Sequence, residues 1–427
     1  MSSSRIKGFY QLSMTERLEI VTKGKGLTED EKSILAGQKP FPMSLADAMV
    51  ENVIGQFCIP VGIAANFKIN GRDVFIPMAT EEASVIAAAS NAARAAYELG
   101  GFFTSTSGTI MRGQIQVVGV VDPHGAKARI YENKAEIIAC CNQQDPTLVS
   151  LGGGVQDVEV HLVQTVKETV LVIHLLVDTK DAMGANAVNT MAESVSPLIE
   201  KITGGRVLLR IISNLADKRL VRARGVFSAE KLGGIEVVRN IVRAYEFADA
   251  DPYRAATHNK GVMNGITAVV LATGNDTRAV EAGAHAYAAR TGRYRPLTSW
   301  EMDSEGNLVG FIELPMAVGI IGGVTKTHPV AQAALKIMGV TSAEELAGII
   351  AAVGLAENAA SLRALSAEGI QAGHMRLHAR NLAVMAGATK EIVDEVVQRA
   401  VAENDIRYDR ILQIVQELHK QREAEEK

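Results

Sequence analysis

The sequence predicts an α+β protein with a large, mainly helical unit, a small α/β unit inserted into it and a helical module at the C-terminus. The Ala-rich stretch 84–99 has no proline and no internal glycine, and it stops at Gly100-Gly101, which is typical of a helix with a glycine end. Between residues 110 and 215 the chain carries short runs of β-branched residues, as strands do. From residue 375 onward, apolar residues recur at helical spacing instead.

The small unit is predicted from an alternation of strand-like and helix-like segments. Strands are expected at 114–121, 158–164, 170–178 and 207–212. Helices are expected at 132–143 and at 187–202, where Gly204-Gly205 follows. This alternation within a more helical chain predicts one compact α/β unit. We therefore expect a large domain at 1–109 and 216–374 and a small domain at 110–215.

The other segments are predicted to be mainly helical. In the large domain we expect helices at 235–248, 277–290 and 342–365 and a strand pair around 308–314. The tail, 375–427, has apolar stripes at 392–400 and 411–418, which predict two helices. Such a tail fits either a surface helical pair or a mobile lid.

Composition limits the class of protein. Of 427 residues, 47% are apolar and 22% charged, so the chain can build the cores of two or three domains. The net charge of −4 gives no electrostatic case for nucleic-acid binding. The N-terminus has no apolar signal region, and the most apolar run, 170–177, is too short to span a bilayer. We therefore expect a cytoplasmic protein that binds no membrane.

The three cysteines favour neither a disulfide framework nor a structural zinc site. Cys58, Cys140 and Cys141 are odd in number and lack the C-x-x-C spacing, so a reducing compartment fits. Cys58 has apolar neighbours and is predicted to be a core residue. His374 and His378 are four residues apart, but no third metal ligand is evident and the glutamate of H-E-x-x-H is absent. We therefore predict no metal.

One loop is a candidate anion site. The familiar nucleotide fingerprints, G-x-G-x-x-G and Walker A, do not occur. Asp181 to Asn186, D-A-M-G-A-N, follows a predicted strand and precedes a predicted helix. Such a junction offers free backbone N–H groups and a positive helix end to a phosphate, although a capped turn has the same pattern.

Several polar segments are ambiguous by themselves. Glu81-Glu82 opens the Ala-rich helix, where carboxylates stabilise the helix dipole without any further function. Asp276 follows Gly274-Asn275 and fits a turn or helix cap. Four polar residues lie in a Gly-punctuated stretch that fits a solvated loop as well as a site: Arg254, His258, Lys260 and Asn264.

Taken in order, six segments resemble 3-hydroxy-3-methylglutaryl-coenzyme A reductases, and in particular their soluble bacterial class. They are Glu51 to Gly55, Pro77 to Glu82, Asp181 to Asn186, Thr257 to Gly261, Thr273 to Asp276 and Gly373 to Met375. The resemblance implies reduction of a coenzyme A thioester to mevalonate, or the reverse, with two hydrides from or to a nicotinamide cofactor. It also implies a homodimer or higher oligomer with shared active sites.

The resemblance implies four catalytic residues. Lys260 would stabilise the oxyanion that develops on the thioester carbonyl, as a fixed cation can. Asp276 would hold Lys260 charged and oriented, and Glu82 would share in proton transfer. His374 would protonate the departing coenzyme A thiolate, which suits a side chain that titrates near neutral pH.

The resemblance also implies binding residues and a domain plan. The substrate would be held by Ser84, Asn214, Arg254, Asn264 and His378. The cofactor would be held by Asp145, Asp181, Met183, Gly184 and Asn186. The large domain would bind substrate, the small domain would be a non-Rossmann, ferredoxin-like cofactor domain, and 375–427 would be a flap. Asp145 resembles an acidic residue near the adenine ribose, which would favour NAD(H) over NADP(H).

Two other readings of the sequence remain open. A catalytically silent homologue that only binds coenzyme A thioesters would not need Glu82, Lys260, Asp276 and His374 together. A thioester transferase or hydrolase without hydride chemistry would need a nucleophile, and Cys58 is the isolated cysteine. In that case the D-A-M-G-A-N segment would have no purpose.

Overall fold

The computed structural model describes the backbone of residues 3–367, 370–389, 391–403 and 405–425, and the side chains within those ranges except at 370–377 and 423–425. Its strands are β1 Val61–Ile69, β2 Arg72–Ala79, β3 Phe102–Thr106, β4 Ile110–Val118, β5 Gly154–Gln164, β6 Thr169–Asp178, β7 Arg206–Ser213, β8 Leu220–Phe227, β9 Thr298–Met302 and β10 Leu308–Pro315.

Its helices surround these strands. They are α1 Met14–Thr22, α2 Glu29–Leu35, α3 Met43–Met49, α4 Val85–Ala96, α5 Pro123–Glu132, α6 Lys134–Asn142, α7 Pro146–Ser150, α8 Ala185–Ser194, α9 Ser196–Thr203, α10 Ala229–Leu232, α11 Ile235–Ala250, α12 Pro252–Ala272, α13 Thr277–Ala288, α14 Gly323–Thr327, α15 Pro329–Met338, α16 Ala343–Ser366, α17 Ile370–Met385, α18 Val393–Ala402 and α19 Tyr408–Glu425. Short 3₁₀ turns occur at Phe9–Gln11 and Tyr97–Leu99.

A mixed sheet forms the base of the large unit. Its strand order is β2-β1-β3-β8-β10-β9, and β1 with β3 is the parallel pair. Helices α4, α12 and α16 cover this sheet with a continuous apolar core. The α+β class is therefore confirmed, but a single strand pair was predicted in this unit. Strands β2, β1 and β3 come from the chain segment before the small unit, and β8, β10 and β9 come from the segment after it. The two sets meet at the β3–β8 pair, which local patterns do not reveal.

The small unit is an antiparallel sheet in the order β5-β6-β4-β7, with helices α5, α6, α8 and α9 on one face. The connection β-α-β-β-α-β with this order is the ferredoxin-like arrangement and not a Rossmann fold. Its core is separate from that of the large unit. The predicted helix 187–202 is two helices, since Pro197 in the first turn of α9 cannot continue the hydrogen-bond ladder of α8.

Helix α16 is the central helix of the large unit. It carries the apolar window that is long enough, by length and composition, to cross a membrane within the described ranges, but 83% of that window is buried inside the protein. It packs against α4, α11, α12 and β8. This environment is that of a core helix.

The C-terminal helices α17, α18 and α19 pack on one another around their own apolar cluster. The two predicted tail helices are confirmed. The structure adds α17, which runs across the predicted boundary at 374 and 375. The domain limits themselves stay a prediction.

Cys58 corrects one expectation. It is exposed and not a core residue. It lies between α3 and β1 in a segment without regular structure, and its apolar neighbours Ile54 and Phe57 are exposed as well. Apolar neighbours in sequence predict a core position only where a helix or strand gives them a common buried face.

Candidate active site

The structure brings Glu82 and Lys260 together. Glu82 lies in the turn between β2 and α4, and the Nζ of Lys260, on α12, is 3.2 Å from its Oε2. Asn264, one helical turn further along α12, donates to the same oxygen at 3.5 Å. The Ser84 hydroxyl is 3.5 Å from Glu82 Oε1. The Lys260 side chain is 63% exposed, so a ligand can reach the ammonium that Glu82 orients.

For the segment that forms helix α12, the sequence fitted a solvated loop as well as a site. The 21 residues of this helix include Arg254, Lys260 and Asn264. The polar residues beside Lys260 are buried anchors, which explains their number in this stretch. Asn259 donates to Arg295 O and accepts from Leu297 N, at 2.9 and 2.8 Å.

His258 belongs to a second buried anchor of the same helix. Its Nε2 is 2.6 Å from the Thr298 hydroxyl, which in turn donates to Asn358 Oδ1 at 2.9 Å. The Trp300 indole donates to the same Asn358 oxygen at 2.8 Å. Burial, together with the nearby Arg254 cation, lowers the pKa of His258 to about 3, so the ring is neutral. This histidine therefore fixes α12 and is not a proton donor.

Glu357 was not found from the sequence. It lies on α16, is 3% exposed, and its Oε2 has no hydrogen-bond partner among the described residues. Burial, together with the nearby Glu82 carboxylate, raises the pKa of this carboxyl to about 8, although the Lys260 ammonium opposes the rise. Glu357 is thus a neutral carboxylic acid at pH 7, close behind the Glu82–Lys260 pair. An isolated glutamate within an apolar helix was the signal that could have revealed it.

Asp276 stands apart from this pair. Its carboxylate caps α13, accepting from Arg278 N and Ala279 N at 3.0 and 3.1 Å, and it also meets the Arg278 side chain. Within the described part of the chain it forms no ion pair with Lys260. Asn275 beside it holds Gly319 by two hydrogen bonds of 3.1 and 2.8 Å. Asp276 also lines a large cavity.

A cavity of about 2770 Å³ lies between the two units. It is bordered by Asp276, by the loop from Ala182 to Asn186, by Asp145 and by the chain segment around Phe57. Asp145 caps α7 by accepting from Leu148 N at 2.9 Å. The cavity is thus lined by Asp276 and by four of the predicted cofactor residues, Asp145, Met183, Gly184 and Asn186, but not by Asp181.

The loop before α8 fits an anionic ligand. Gly184 has φ 98°, a left-handed conformation, and a Cβ there would lie 2.3 Å from Thr179. No side chain among the described residues caps the start of this ten-residue helix. Its first N–H groups therefore face the cavity uncapped, as a pyrophosphate requires. One carboxylate oxygen of Asp181 already has a protein partner, since its Oδ1 accepts a hydrogen bond from Ala343 N at 2.8 Å.

Within the described part of the chain, the remaining predicted site residues form no hydrogen bond or ion pair with the Glu82–Lys260 pair. Arg254 is half-buried on α12, and burial lowers the pKa of its guanidinium. Asn214 is exposed in the connection from β7 to β8, and Met183 packs against the small core. His374 and His378 both lie on α17; His378 is exposed, whereas the side chain of His374 is outside the described residues.

A polar cluster occupies the open face of the small sheet. One ligand atom each of Glu159, His161 and His174 lies within 4.8 Å of the others, a geometry that could hold a metal ion. Arg112 already binds there, to Glu159 at 2.6 Å and to His174 Nδ1 at 3.3 Å, and Asp217 holds the same guanidinium. A cation among these groups would face that guanidinium at close range, so the cluster is a satisfied ion-pair network.

Comparison with known proteins places these features in one family. A family profile described as hydroxymethylglutaryl-coenzyme A reductase matches residues 13–379. The chain is 58% identical over 416 residues to the 3-hydroxy-3-methylglutaryl-coenzyme A reductase of Archaeoglobus fulgidus, covering 97% of this chain and 95% of that protein. It is 37% identical over 342 residues to a probable enzyme of this name from Borreliella burgdorferi, covering 78% and 77%.

Solved structures agree. A 3-hydroxy-3-methylglutaryl-coenzyme A reductase from Streptococcus pneumoniae superposes with a TM-score of 0.82 at 39% identity, over 96% of this chain and 99% of that one. A class II enzyme from the same organism, bound to NADPH in open conformations, gives a TM-score of 0.80 at 39% identity, over 96% and 100%.

The raised pKa of Glu357 predicts how stability depends on pH. The unfolded chain loses this proton near pH 4.5, whereas the folded chain keeps it until about pH 8. In that window the folded state binds more protons, so the free energy of unfolding falls as pH rises. Glu357→Gln removes this dependence. Urea unfolding of the variant should show a gain over wild type that grows from about pH 5 to about pH 8. Glu344→Gln, at the exposed start of the same helix, should show no such trend. A constant difference for Glu357→Gln would contradict the assignment.

Proposed function

The chain belongs to the hydroxymethylglutaryl-coenzyme A reductase family, and we propose how its own residues carry out the family's reaction. The protein is an NAD(P)-dependent oxidoreductase that interconverts 3-hydroxy-3-methylglutaryl-coenzyme A with mevalonate and coenzyme A by two hydride transfers. A silent binding homologue is not favoured. The observation that carries the residue assignment is the contact of Lys260 with Glu82.

Lys260 is the proposed oxyanion stabiliser. Each hydride addition, first to the thioester and then to the aldehyde, leaves negative charge on the same carbonyl oxygen. An ammonium held in place needs no reorganisation when that charge appears. Glu82 and the anchored helix α12 supply this fixed position, and the exposed face of Lys260 leaves room for the carbonyl.

Glu82 is the proposed proton donor to that oxygen. It lies between Lys260, which would touch the same oxygen, and Asn264, which binds its Oε2. A group that protonates a carbonyl oxygen must lie within hydrogen-bond reach of it, and a ligand on Lys260 would satisfy this condition. His374 is the proposed donor to the departing thiolate, and Asp276 acts from the cavity wall.

The substrate is proposed to extend from Lys260 along α12. Arg254 would bind the carboxylate of the hydroxymethylglutaryl group, because a planar guanidinium matches a carboxylate in two hydrogen bonds. Ser84 and Asn264 adjoin Glu82, and they would bind the hydroxyl and carbonyl groups of the substrate. Asn214 and His378, both exposed, would line the outer part of the site.

The cofactor is proposed to bind between Asp145 and the loop from Asp181 to Asn186. The nicotinamide cofactor supplies the hydride when bound. The uncapped first turn of α8, which includes Asn186, would bind the pyrophosphate. Gly184 keeps the backbone open for that approach, and Met183 anchors the loop to the small core.

Larger-scale proposals concern the domains and the flap. We take 1–109 with 216–374 as the substrate domain, 110–215 as the cofactor domain and 375–427 as a flap that closes over the bound ligands. Support comes from the separate apolar cluster of α17, α18 and α19. Hydrogen exchange of this segment should slow when both ligands bind, and unchanged exchange would count against a flap.

A homodimer in the cytoplasm is proposed as the working form. Ile54 is fully exposed and Phe57 is 91% exposed, and Phe57 lines the large cavity. Exposed apolar groups of this kind mark protein–protein contacts. A second copy would cover them and complete the site, and a monomeric mass in sedimentation would contradict this.

The role of Lys260 can be tested by its removal. Lys260→Met keeps the length of the side chain but deletes the charge that the oxyanion requires. Turnover should fall by the equivalent of about 2.7–4 kcal/mol, with cofactor affinity and unfolding unchanged. Lys231→Met is the matched control, since Lys231 also pairs with a glutamate, Glu98 at 2.6 Å, outside the site. Near-normal turnover of Lys260→Met would show that this pair is not catalytic.

Cofactor choice is proposed to depend on Asp145. Its carboxylate would accept a hydrogen bond from a ribose 2′-hydroxyl and repel a 2′-phosphate. NAD(H) should therefore be preferred, and Asp145→Ser should lower the ratio of kcat/KM for NAD(H) to that for NADP(H). Serine preserves the helix cap but removes the charge. Asp122→Ser is the control, since Asp122 also precedes a proline and caps α5 by accepting from Gly125 N at 2.9 Å. An unchanged ratio would remove Asp145 from this role.

A further inference from the structure

Arg219 is a buried cation at the junction of the two units. It lies immediately before β8, where the chain returns from the small unit to the large sheet, and it is 4% exposed. Its hydrogen-bond acceptors in the described part of the chain are backbone carbonyls and one hydroxyl, and no carboxylate forms an ion pair with it. Burial lowers the pKa of this guanidinium to about 10, so it stays charged at neutral pH. A buried charge of this kind is costly to keep and calls for an explanation.

The contacts of Arg219 join two chain segments. On one side, Nη1 donates to the Thr179 hydroxyl at 2.8 Å and to Ala182 O at 3.0 Å. On the other side, Nη2 donates to Val318 O at 2.6 Å. The first two acceptors belong to the turn after β6 that leads into α8, and the third follows β10 of the large sheet. One planar group therefore fixes the distance between this turn and the large unit.

The same turn is held to the large unit at two further points. Ile320 N donates to Asp181 O at 2.9 Å, and Ala343 N donates to Asp181 Oδ1 at 2.8 Å. A Cβ on Gly319 would lie 2.6 Å from Met183 N, so the two segments touch through their backbones. The turn from Thr179 to Gly184 thus belongs to the small unit by sequence but is built against the large one.

We infer that Arg219 is a positioning residue for hydride transfer, which holds the turn from Thr179 to Gly184, and with it the start of α8, at a fixed place on the large unit. This inference rests on the proposed binding of the cofactor at that turn. Arg219 is not among the residues that line the cavity and has no hydrogen bond to Glu82 or Lys260 in the described part of the chain. It acts through the backbone that it binds, which includes Ala182 at the cavity border. Hydride transfer depends steeply on the relative position of donor and acceptor, so a small shift of this turn has a large effect.

Arginine is required for this arrangement by its shape. Its guanidinium presents several N–H groups in one rigid plane, which can point at both segments simultaneously. A lysine keeps the charge, but its ammonium on a single flexible stem cannot span both sides. Arg219→Lys therefore keeps the positive charge but removes the simultaneous hydrogen bonds to the two segments.

The test compares Arg219→Lys with two other variants of the full-length protein. Arg222→Lys is the matched control: it lies on β8, and its partner is the Glu313 carboxylate at 2.6 Å. Asn186→Asp tests the cofactor site directly. A carboxylate in the first turn of α8 suits the helix dipole, but it repels a bound phosphate.

Arg219→Lys should weaken NAD(H) affinity, measured by cofactor fluorescence, by about 10-fold or more and lower kcat as well. The KM for the coenzyme A thioester should stay within about 2-fold of wild type, because α12 is untouched. Hydrogen exchange of the 179–188 peptide should become faster in this variant and stay unchanged in Arg222→Lys.

The outcomes separate two kinds of failure. If Asn186→Asp weakens NAD(H) binding but folded Arg219→Lys leaves both affinity and exchange unchanged, the inference about Arg219 is wrong. If Arg219→Lys raises both KM values together and lowers the midpoint of unfolding, Arg219 is only a structural residue and the inference is again wrong. If Asn186→Asp leaves NAD(H) affinity unchanged, the proposed cofactor site itself is wrong, and the inference is overturned with it.

Discussion

The close approach of α12 and α16 is the constraint on which the rest of the site depends. A Cβ on Gly265 would lie 3.0 Å from the Cβ of Glu357, and one on Gly354 would lie 2.7 Å from Ile266. Each helix therefore contributes a glycine so that the other can pack against its backbone. Lys260 and Asn264, which neighbour these contacts on α12, are thereby held against Glu82. Burial of Glu357 beneath them follows from the same packing, and its neutral state avoids the cost of placing a buried negative charge beside Glu82.

The two halves of the proposed site are assembled by different means. The carbonyl side depends on helix packing and on the buried anchors of His258 and Asn259. The cofactor side depends on backbone contacts between the turn after β6 and the segment after β10, joined by Arg219. Asn275 ties Asp276 to the second of these segments through Gly319. The wall of the cavity that carries Asp276 is therefore positioned together with the cofactor loop and not with Lys260.

The sequence predicted what local patterns encode and missed what distant segments build together. The strands of the small unit, the glycine end of α4 and the tail helices follow from periodicity and turn residues. The helical state of 252–272 was left open because its polar residues are satisfied by partners some 40 to 100 positions away, such as Thr298 and Asn358.

The residues missed at the site share the same cause. Glu357 and Arg219 gain their character only from burial, which a single sequence does not show. The resemblance to a family predicts residues that would touch ligands, but not those that would hold them in place.

The central claim is that the Glu82–Lys260 pair acts on one carbonyl oxygen in both hydride steps. The most direct measurement compares single-turnover reduction of the thioester and of the free aldehyde by Glu82→Gln. The account predicts that both steps slow by a similar factor, because both place charge on the same oxygen and need the same proton donor. Slowing of the thioester step with an unaffected aldehyde step would contradict it, and would assign Glu82 to the departure of coenzyme A instead.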